Sequence, residues 1–401
     1  MRDRLPLIFI FATITIDAMG IGLIVPVMPD LLQQVQGADL SLAAKWGGVL
    51  ATSFAVMQFL FSPLLGNLSD RFGRRPVLLV SLAVMAADYM VMALAHSIWL
   101  LLIARIVGGI TAATSSTATA YLADISAPEQ KAARFGLIGA AFGLGFVIGP
   151  VIGGLLGELG PRAPFWAAAG IALANLLLGL IALPETLPAN KRRRFEWTRA
   201  NPLGAFRAMS ALPGLRQLLG LSFLYEFAYG VYPAVWAYFT QLRFGWEPRT
   251  IGPSLAVFGL SMAICQGALI RPILKRLGER YTAMLGFVIS TIAMAAMAFV
   301  TQSALAFALI PLGALGAVTG PALQGMMSRR AAASQQGELQ GAVSSARAIA
   351  MILSPLVMTQ SFALFTHADT PLFFPGAPFV VAAAVMALCA LGLSTMRRAG
   401  I

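Results

Sequence analysis

Five ionisable residues lie deep inside apolar stretches of this 401-residue chain, namely Asp17, Asp88, Arg105, Glu226 and Arg347. A charge at the centre of a hydrocarbon core costs about 2.5 kcal/mol or more, even on lenient insertion scales. Such residues usually face a cavity, pair with an opposite charge and mark the path of a proton, an ion or a charged ligand. The position of these five residues inside apolar stretches therefore predicts ionisable sites within membrane-spanning helices.

The elements that must position these charges are long apolar helices. The chain is 58% hydrophobic and 11% charged, whereas a soluble domain carries about 25% charged residues. Continuous apolar runs favour an all-α membrane protein over a barrel of alternating strands. We expect twelve helices, at roughly 5–29, 42–66, 75–95, 97–122, 132–157, 164–184, 214–240, 250–271, 281–301, 303–328, 335–362 and 373–396.

The net charge of +12 comes from basic residues in the short segments between alternate apolar runs. This distribution follows the positive-inside rule and indicates contact with membrane lipid rather than with nucleic acid. It predicts an inner-membrane protein that crosses the membrane many times, with both termini in the cytoplasm.

The chain divides into two six-helix halves, 1–184 and 214–401, joined by a basic cytoplasmic linker at 185–213. Residues 71–75 in the first half match residues 276–280 in the second, with two arginines and a glycine at the same spacing. Paired halves of this kind are a transporter architecture, with the substrate path expected at their interface.

The strongest motif is GNLSDRFGRRPVLL at residues 66–79. Gly66 and Gly73 would permit close packing and a tight turn between two helices. Asp70 can accept hydrogen bonds from a helix N-terminus or pair with an arginine, and Arg71 and Arg74 would hold the loop at the headgroups. These five residues are expected to form a conformational gate.

This segment resembles the signature between helices two and three of the major facilitator superfamily. GFVIGPVIGG at residues 145–154 is similar to the fifth-helix signature that the family associates with exporters exchanging drug for protons. Pro150 would bend the helix. Six glycines would allow a neighbouring helix to approach closely, namely Gly139, Gly143, Gly145, Gly149, Gly153 and Gly154. Gly149 and Pro150 would then form a hinge of the gate.

Further stretches resemble the tetracycline/proton antiporter group, namely residues 17–29, 69–82, 105–114, 141–154 and 321–328. The resemblance implies proton-coupling roles for Asp17, Asp88 and Arg105. It also places helices 1 and 4 together, so we expect Asp17 and Arg105 to pair, either as a proton-coupling or as a structural pair. Asp124, at a helix end, is expected to make a local contact.

The second half departs from the group pattern. Ser290 stands where the group has an aspartate, and Met262 stands where it has a histidine. Conversely, Glu226 replaces an uncharged amide and Arg347 has no counterpart. We expect Glu226 and Arg347 to form a cross-helix pair, or each to meet a charged group of the substrate.

Other polar and aromatic residues could line a substrate cavity or serve packing alone. The candidate substrate contacts are Gln58, Gln266 and Gln324, and the aromatic set on the seventh helix is Tyr225, Tyr229, Tyr232, Trp236 and Tyr238. Flat rings at a cavity wall would suit drug-like molecules and cations.

The motifs that the sequence lacks argue against ATP-driven transporters and metal-dependent proteins. The sequence contains no P-loop, and its two histidines stand apart from other metal-ligand types, so we expect neither ATP drive, a metal nor another cofactor. Cys265 and Cys389 are expected to be buried apolar groups. The sequence predicts a monomeric exporter, not an enzyme, that exchanges an organic solute for protons. The alternatives are a similar exporter of another drug or metabolite and an uncoupled facilitator.

Overall fold

The computed structural model describes residues 5–37, 39–112, 114–196 and 215–396, and within these ranges the regular structure is helical. The first eight helices are α1 (Leu5–Ile24), α2 (Met28–Gln36), α3 (Leu40–Phe72), α4 (Arg74–Leu94), α5 (Ile98–Thr111), α6 (Thr114–Asp124), α7 (Lys131–Gly157) and α8 (Ala163–Ala182). They are followed by α9 (Arg216–Tyr229), α10 (Val231–Phe244), α11 (Pro248–Ile264), α12 (Ile270–Phe299), α13 (Ser303–Leu315), α14 (Thr319–Arg330), α15 (Gln336–Thr366) and α16 (Ala377–Thr395).

Among the described residues, 11 helical spans are long and apolar enough to cross a membrane. One of them runs from Pro248 to Phe299 without a gap, over 52 residues. At 1.5 Å per residue it would extend about 78 Å, far more than the roughly 30 Å hydrocarbon core. Gly278 interrupts it with a non-helical backbone, at φ 72° and ψ 171°. The fold is therefore compatible with twelve crossings.

Two predicted helices contain breaks that hydropathy does not reveal. The first is interrupted by a 3₁₀ turn at Val25–Val27 and then continues as α2, because Pro26 lacks a backbone donor. The seventh is divided at Gly230 into α9 and α10. Each break lies within a membrane-spanning segment.

The described residues form two compact units. The first comprises those within 1–38, 53–202 and 247–256, and the second those within 39–52, 203–246 and 257–401. The start of α3 therefore belongs to the second unit and the start of α11 to the first. The predicted division at a 185–213 linker stays a prediction, and residues 197–214 of that region lie outside the described ranges.

In the first unit, α1 and α7 pack through a row of glycines. A Cβ at Gly149 would lie 2.5 Å from the carbonyl oxygen of Met19, and Cβ atoms at Gly145 and Gly153 would collide with the carbonyls of Thr15 and Leu23. Four-residue spacing on both helices lets their backbones touch along one face. The predicted close approach is confirmed here, but a Cβ at Gly139 or Gly143 would meet nothing within 4 Å.

The far end of α7 contacts the start of α11, still within the first unit. Cβ atoms at Gly154 and Gly252 would collide with the carbonyls of Pro248 and Pro150, respectively. The Pro150 ring also lies against Gly22 of α1. Pro150 thus contacts both α1 and α11, and Gly149 precedes it on the face of α7 that packs against α1.

In the second unit, the aromatic residues of α9 and α10 are packed into the protein interior. Tyr225, Tyr232, Trp236 and Tyr238 are 2–7% exposed. The Tyr232 ring lies 4.8 Å from the Phe258 ring, centroid to centroid. Of the two interpretations of this set, packing is therefore the one that the structure supports.

Candidate functional site

A buried ion pair joins α4 to α5. A terminal nitrogen of Arg105 contacts Oδ2 of Asp88, and these residues are only 8% and 7% exposed. The guanidinium carbon also lies 5.2 Å from the centroid of the Phe54 ring on α3, which is cation–π geometry. The expected pair between Asp17 and Arg105 is wrong, because Asp88, on the neighbouring helix, is the acidic partner of Arg105.

Asp17 lies half-buried in the middle of α1, and no cation lies within 4.0 Å of it in the part of the chain that the structure describes. Tyr89 of α4 interacts with it electrostatically. The Tyr89 hydroxyl lies against Gly20, where a Cβ would be 2.5 Å away. Consecutive residues of α4, Asp88 and Tyr89, thus face α5 and α1, a relationship that sequence reasoning missed.

The junction between α3 and α4 is capped by Glu185, from the segment after α8. Gly73 has φ 108°, and a Cβ there would collide with the Glu185 carboxylate. Oε1 of that carboxylate accepts a hydrogen bond of 2.9 Å from the backbone N–H of Arg74, and Oε2 accepts one of 3.2 Å from Arg75. An acid at a helix N-terminus also interacts favourably with the helix dipole.

Glu185 organises its own segment too, because Oε1 accepts hydrogen bonds from the N–H groups of Thr186 at 3.0 Å and Leu187 at 2.9 Å. Four backbone donors therefore meet on one side chain. Sequence reasoning missed this residue. Two signals were available. Glu185 is a single acid shortly after an apolar helix, and the turn at Gly73 leaves the first N–H groups of α4 without an obvious cap.

The side chain of Arg74 forms the centre of an ionic network at the same junction. Its guanidinium lies 2.7 Å from Asp70 Oδ1 and 3.1 Å from Asp124 Oδ2. A cavity of about 520 Å³ is lined by Asp70, Arg74, Asp124, Leu187 and Arg193. The structure brings together Asp70 and Arg74 as expected, and Asp124 makes the expected local contact.

Two other predicted gate residues take no part in this network. The Arg71 guanidinium lies 5.1 Å from the centroid of the neighbouring Phe72 ring, and its side chain is exposed. A Cβ at Gly66 would meet nothing within 4 Å, so the expected close packing at Gly66 is wrong. The tight turn depends on Gly73.

The second unit repeats this junction. Gly278, equivalent to Gly73, also has positive φ, at 72°. Arg75 donates a hydrogen bond of 2.8 Å to the Leu180 carbonyl near the end of α8. Its equivalent, Arg280, donates to carbonyls at the end of α16, including that of Met396 at 2.8 Å. The internal repeat predicted from sequence is thus visible in backbone conformation and in hydrogen bonding.

The ionic contact of the junction is also repeated, but with its charges exchanged. Arg74 pairs with Asp124 in the first unit, and Glu279 pairs with Arg329 at 2.5 Å in the second. Both members of the second pair lie 205 positions after their counterparts. The geometry of the contact is therefore retained, whereas its polarity is not.

The second unit also carries the predicted pair between α9 and α15. Nε of Arg347 lies 3.6 Å from Oε2 of Glu226, and the two side chains are 65% and 30% exposed. The expected cross-helix pairing of Glu226 and Arg347 is confirmed. Unlike Asp88 and Arg105, this pair remains open to solvent or to a ligand.

The three glutamines have different surroundings. Gln58 donates a hydrogen bond of 3.3 Å to the Ala112 carbonyl, where α5 ends, so it has a structural contact. Gln266 is exposed in a π-helical segment, Cys265–Leu269, a backbone form often found at functional sites. Gln324 is partly buried on α14.

Cys265 and Cys389 are buried free thiols, as expected. The described residues contain no group of three or more metal-ligating side chains.

A helical membrane protein with an internal repeat and with ionisable groups inside its membrane spans has the architecture of a transporter. A family model described as Major Facilitator Superfamily matches residues 10–355 and 218–398. The chain belongs to the major facilitator superfamily and is a transporter rather than an enzyme.

Named relatives support this assignment. The chain is 40% identical to tetracycline resistance protein, class C, of Escherichia coli over 398 residues, which cover 99% of this chain and 98% of the relative. It is also 40% identical to the class G protein of Vibrio anguillarum, over 86% of this chain and 87% of the relative. A crystal structure of the human organic anion transporter MFSD10 matches with a TM-score of 0.69 and 26% identity, covering 98% of this chain and 99% of that one.

Proposed function

We propose that the protein exports a tetracycline-type organic molecule from the cell in exchange for protons, by alternating access in the inner membrane. The observation that carries this proposal is the 40% identity to a tetracycline resistance protein across 99% of the chain. In this proposal both termini are cytoplasmic, and the protein works as a monomer.

The arrangement of the deep charges supports the proton half of the exchange. Asp88 is held by Arg105 in a buried pair, and removing one partner of such a pair leaves an uncompensated buried charge. Asp17 has an electrostatic contact with Tyr89 and no ion-pair partner among the described residues. Asp17 is therefore the carboxylate best placed to take up and release a proton. Asp88 and Arg105 would transmit that change between helices.

In the same proposal, the junction at Asp70, Gly73 and Arg74 works as a gate, because Arg74 makes two ion pairs there that a change in helix position would break. Gly66 and Arg71 adjoin this junction and complete the gate segment. Gly149 and Pro150 form the hinge on α7, at the point where Pro150 contacts both α1 and α11.

Substrate contacts are assigned to Glu226, Gln266, Gln324 and Arg347, with Gln58 in a supporting position. The open pair of Glu226 and Arg347 favours a second candidate function, export of a different charged drug or metabolite by the same mechanism. The two candidates differ only in the molecule carried.

The test uses the full chain in liposomes that contain a pH-sensitive dye. Tetracycline with magnesium is added to the wild type, to Asp17→Asn and to Asp369→Asn, whose side chain is 92% exposed. Proton movement on drug addition, lost in Asp17→Asn and retained in Asp369→Asn, is the expected result. Movement that persists in Asp17→Asn would reduce Asp17 to a structural residue. No proton movement in the wild type would rule out the exchange of tetracycline for protons.

A further inference from the structure

The helices that carry Glu226 and Arg347 are held together by contacts near the pair. The Ser354 hydroxyl of α15 donates a hydrogen bond of 2.7 Å to the carbonyl of Phe227, the residue after Glu226. A Cβ at Gly230 would collide with the same serine. The separation of the α9 and α15 backbones beside the pair is therefore set by helix packing.

The pair itself is loose. The 3.6 Å between Nε and Oε2 exceeds the 2.7–3.2 Å of a protein N–H···O hydrogen bond. The guanidinium carries five N–H donors and the carboxylate about four acceptor sites, so each can bind another group. Both side chains are also accessible, at 65% and 30%.

The side chain of Arg347 is exposed although the residue lies within an apolar helix. It lies eleven residues from the start of α15, which is about 16 Å along the helix, and within a 31-residue span that is apolar enough to cross a membrane. A charge at this depth is tolerated where it faces an aqueous cavity or a partner. An exposed arginine within an apolar span therefore indicates a wet site.

A buried tyrosine lies beside the charged pair. Tyr225 interacts electrostatically with both Glu226 and Arg347, and its hydroxyl would lie 3.7 Å from a Cβ on Gly320. Gln324 follows Gly320 by one turn on the same face of α14. Glu226, Arg347 and Gln324 thus belong to the same unit, and Tyr225, only 7% exposed, packs beside the charged pair.

We propose that Glu226 and Arg347 select organic zwitterions, with the cationic group of the ligand on Glu226 and its anionic group on Arg347. A zwitterion replaces both halves of the pair, whereas a ligand with one charge is attracted by one residue and repelled by the other. This inference rests on the proposed export function and specifies the class of molecule that the site accepts.

Three dyes with one ring system test the proposal: rhodamine B (a zwitterion), its ethyl ester (a cation) and fluorescein (an anion). Binding to the purified full chain is measured by fluorescence polarisation at neutral pH. We expect rhodamine B to bind the wild type at least about tenfold more tightly than either other dye, as loss of one close pair of opposite charges implies. Arg347→Gln should shift the preference to the cation, and Glu226→Gln to the anion.

The control is Glu338→Gln, an exposed acid in the first turn of α15, which should leave the order of affinities unchanged. The exchanged variant Glu226→Arg/Arg347→Glu keeps both charges and should still prefer rhodamine B, even if a single variant fails to fold. An unchanged order in both single variants, or loss of the preference in the exchanged variant, would overturn the proposal.

The binding assay requires no proton gradient, so its result is separate from the liposome test. If the protein exchanges drug for protons but does not select the dyes by charge, only the inference about zwitterions is wrong. Charge selection without drug-driven proton movement would instead remove the proposed exchange with protons.

Discussion

Arg74 and Glu279 occupy equivalent positions in the two repeats, and each pairs with the residue fifty positions later, so that one contact is built twice with opposite polarity. We predict that Arg74→Glu lowers the melting temperature and impairs transport, because the introduced carboxylate would face those of Asp70 and Asp124. The double variant Arg74→Glu/Asp124→Arg, which adopts the polarity of the second repeat, should recover part of both. Thermal unfolding in detergent and efflux assays measure these effects. Equal loss in the single and double variants would contradict an electrostatic role.

The deep carboxylates should respond differently to neutralisation. Asp88→Asn leaves Arg105 without its buried partner, and breaking a buried pair from one side costs about 3–5 kcal/mol. We therefore expect low yield and a strongly reduced melting temperature. Asp17→Asn should keep near wild-type stability and lose drug-driven proton movement. Thermal unfolding of both variants, measured side by side, decides this, and comparable destabilisation would refute the distinction.

The glycine row on α7 can be probed with alanine. Gly149→Ala should destabilise the protein severely, because the added Cβ would lie 2.5 Å from the backbone oxygen of Met19. Gly143→Ala, on the same helix, meets open space and should be neutral or stabilising by up to about 1 kcal/mol, since alanine is the better helix former. The comparison is made by melting temperature and by the amount of folded protein after purification. Similar behaviour of the two variants would mean that the close packing has no energetic weight.

Glu185 offers a test of the cap on α4. Glu185→Gln retains size but removes the negative charge and one acceptor oxygen, so we expect a loss of about 1 kcal/mol, as for other N-terminal caps, together with increased proteolysis near residue 73. Glu158→Gln is the control, because among the described residues its side chain makes only an exposed ion pair with Arg249, at 3.6 Å. A melting temperature equal to that of the control variant would show that the cap is dispensable.

Hydropathy and basic loops were sufficient to predict the helical class, the approximate spans and the repeat. The pair of Glu226 and Arg347 could also be predicted, because two opposite deep charges without other partners must be accommodated together. The partner of Arg105 was predicted wrongly. Position along a helix does not fix which neighbour a side chain faces, and Asp88, on the adjacent antiparallel helix, reaches Arg105 instead of Asp17. Glu185 escaped prediction because its partners on α4 are backbone groups 111 residues away, and its position after α8 does not identify the helix start that it caps.

The cap by Glu185 has a consequence for biosynthesis. The Arg74 amide and the Glu185 carboxylate are 111 residues apart, so the ribosome synthesises α3 and α4 before their cap exists. Until then water must satisfy the first N–H groups of α4. The hydrogen bonds at the junction of α3 and α4 therefore form only after α8, the last helix of the first repeat, has been synthesised.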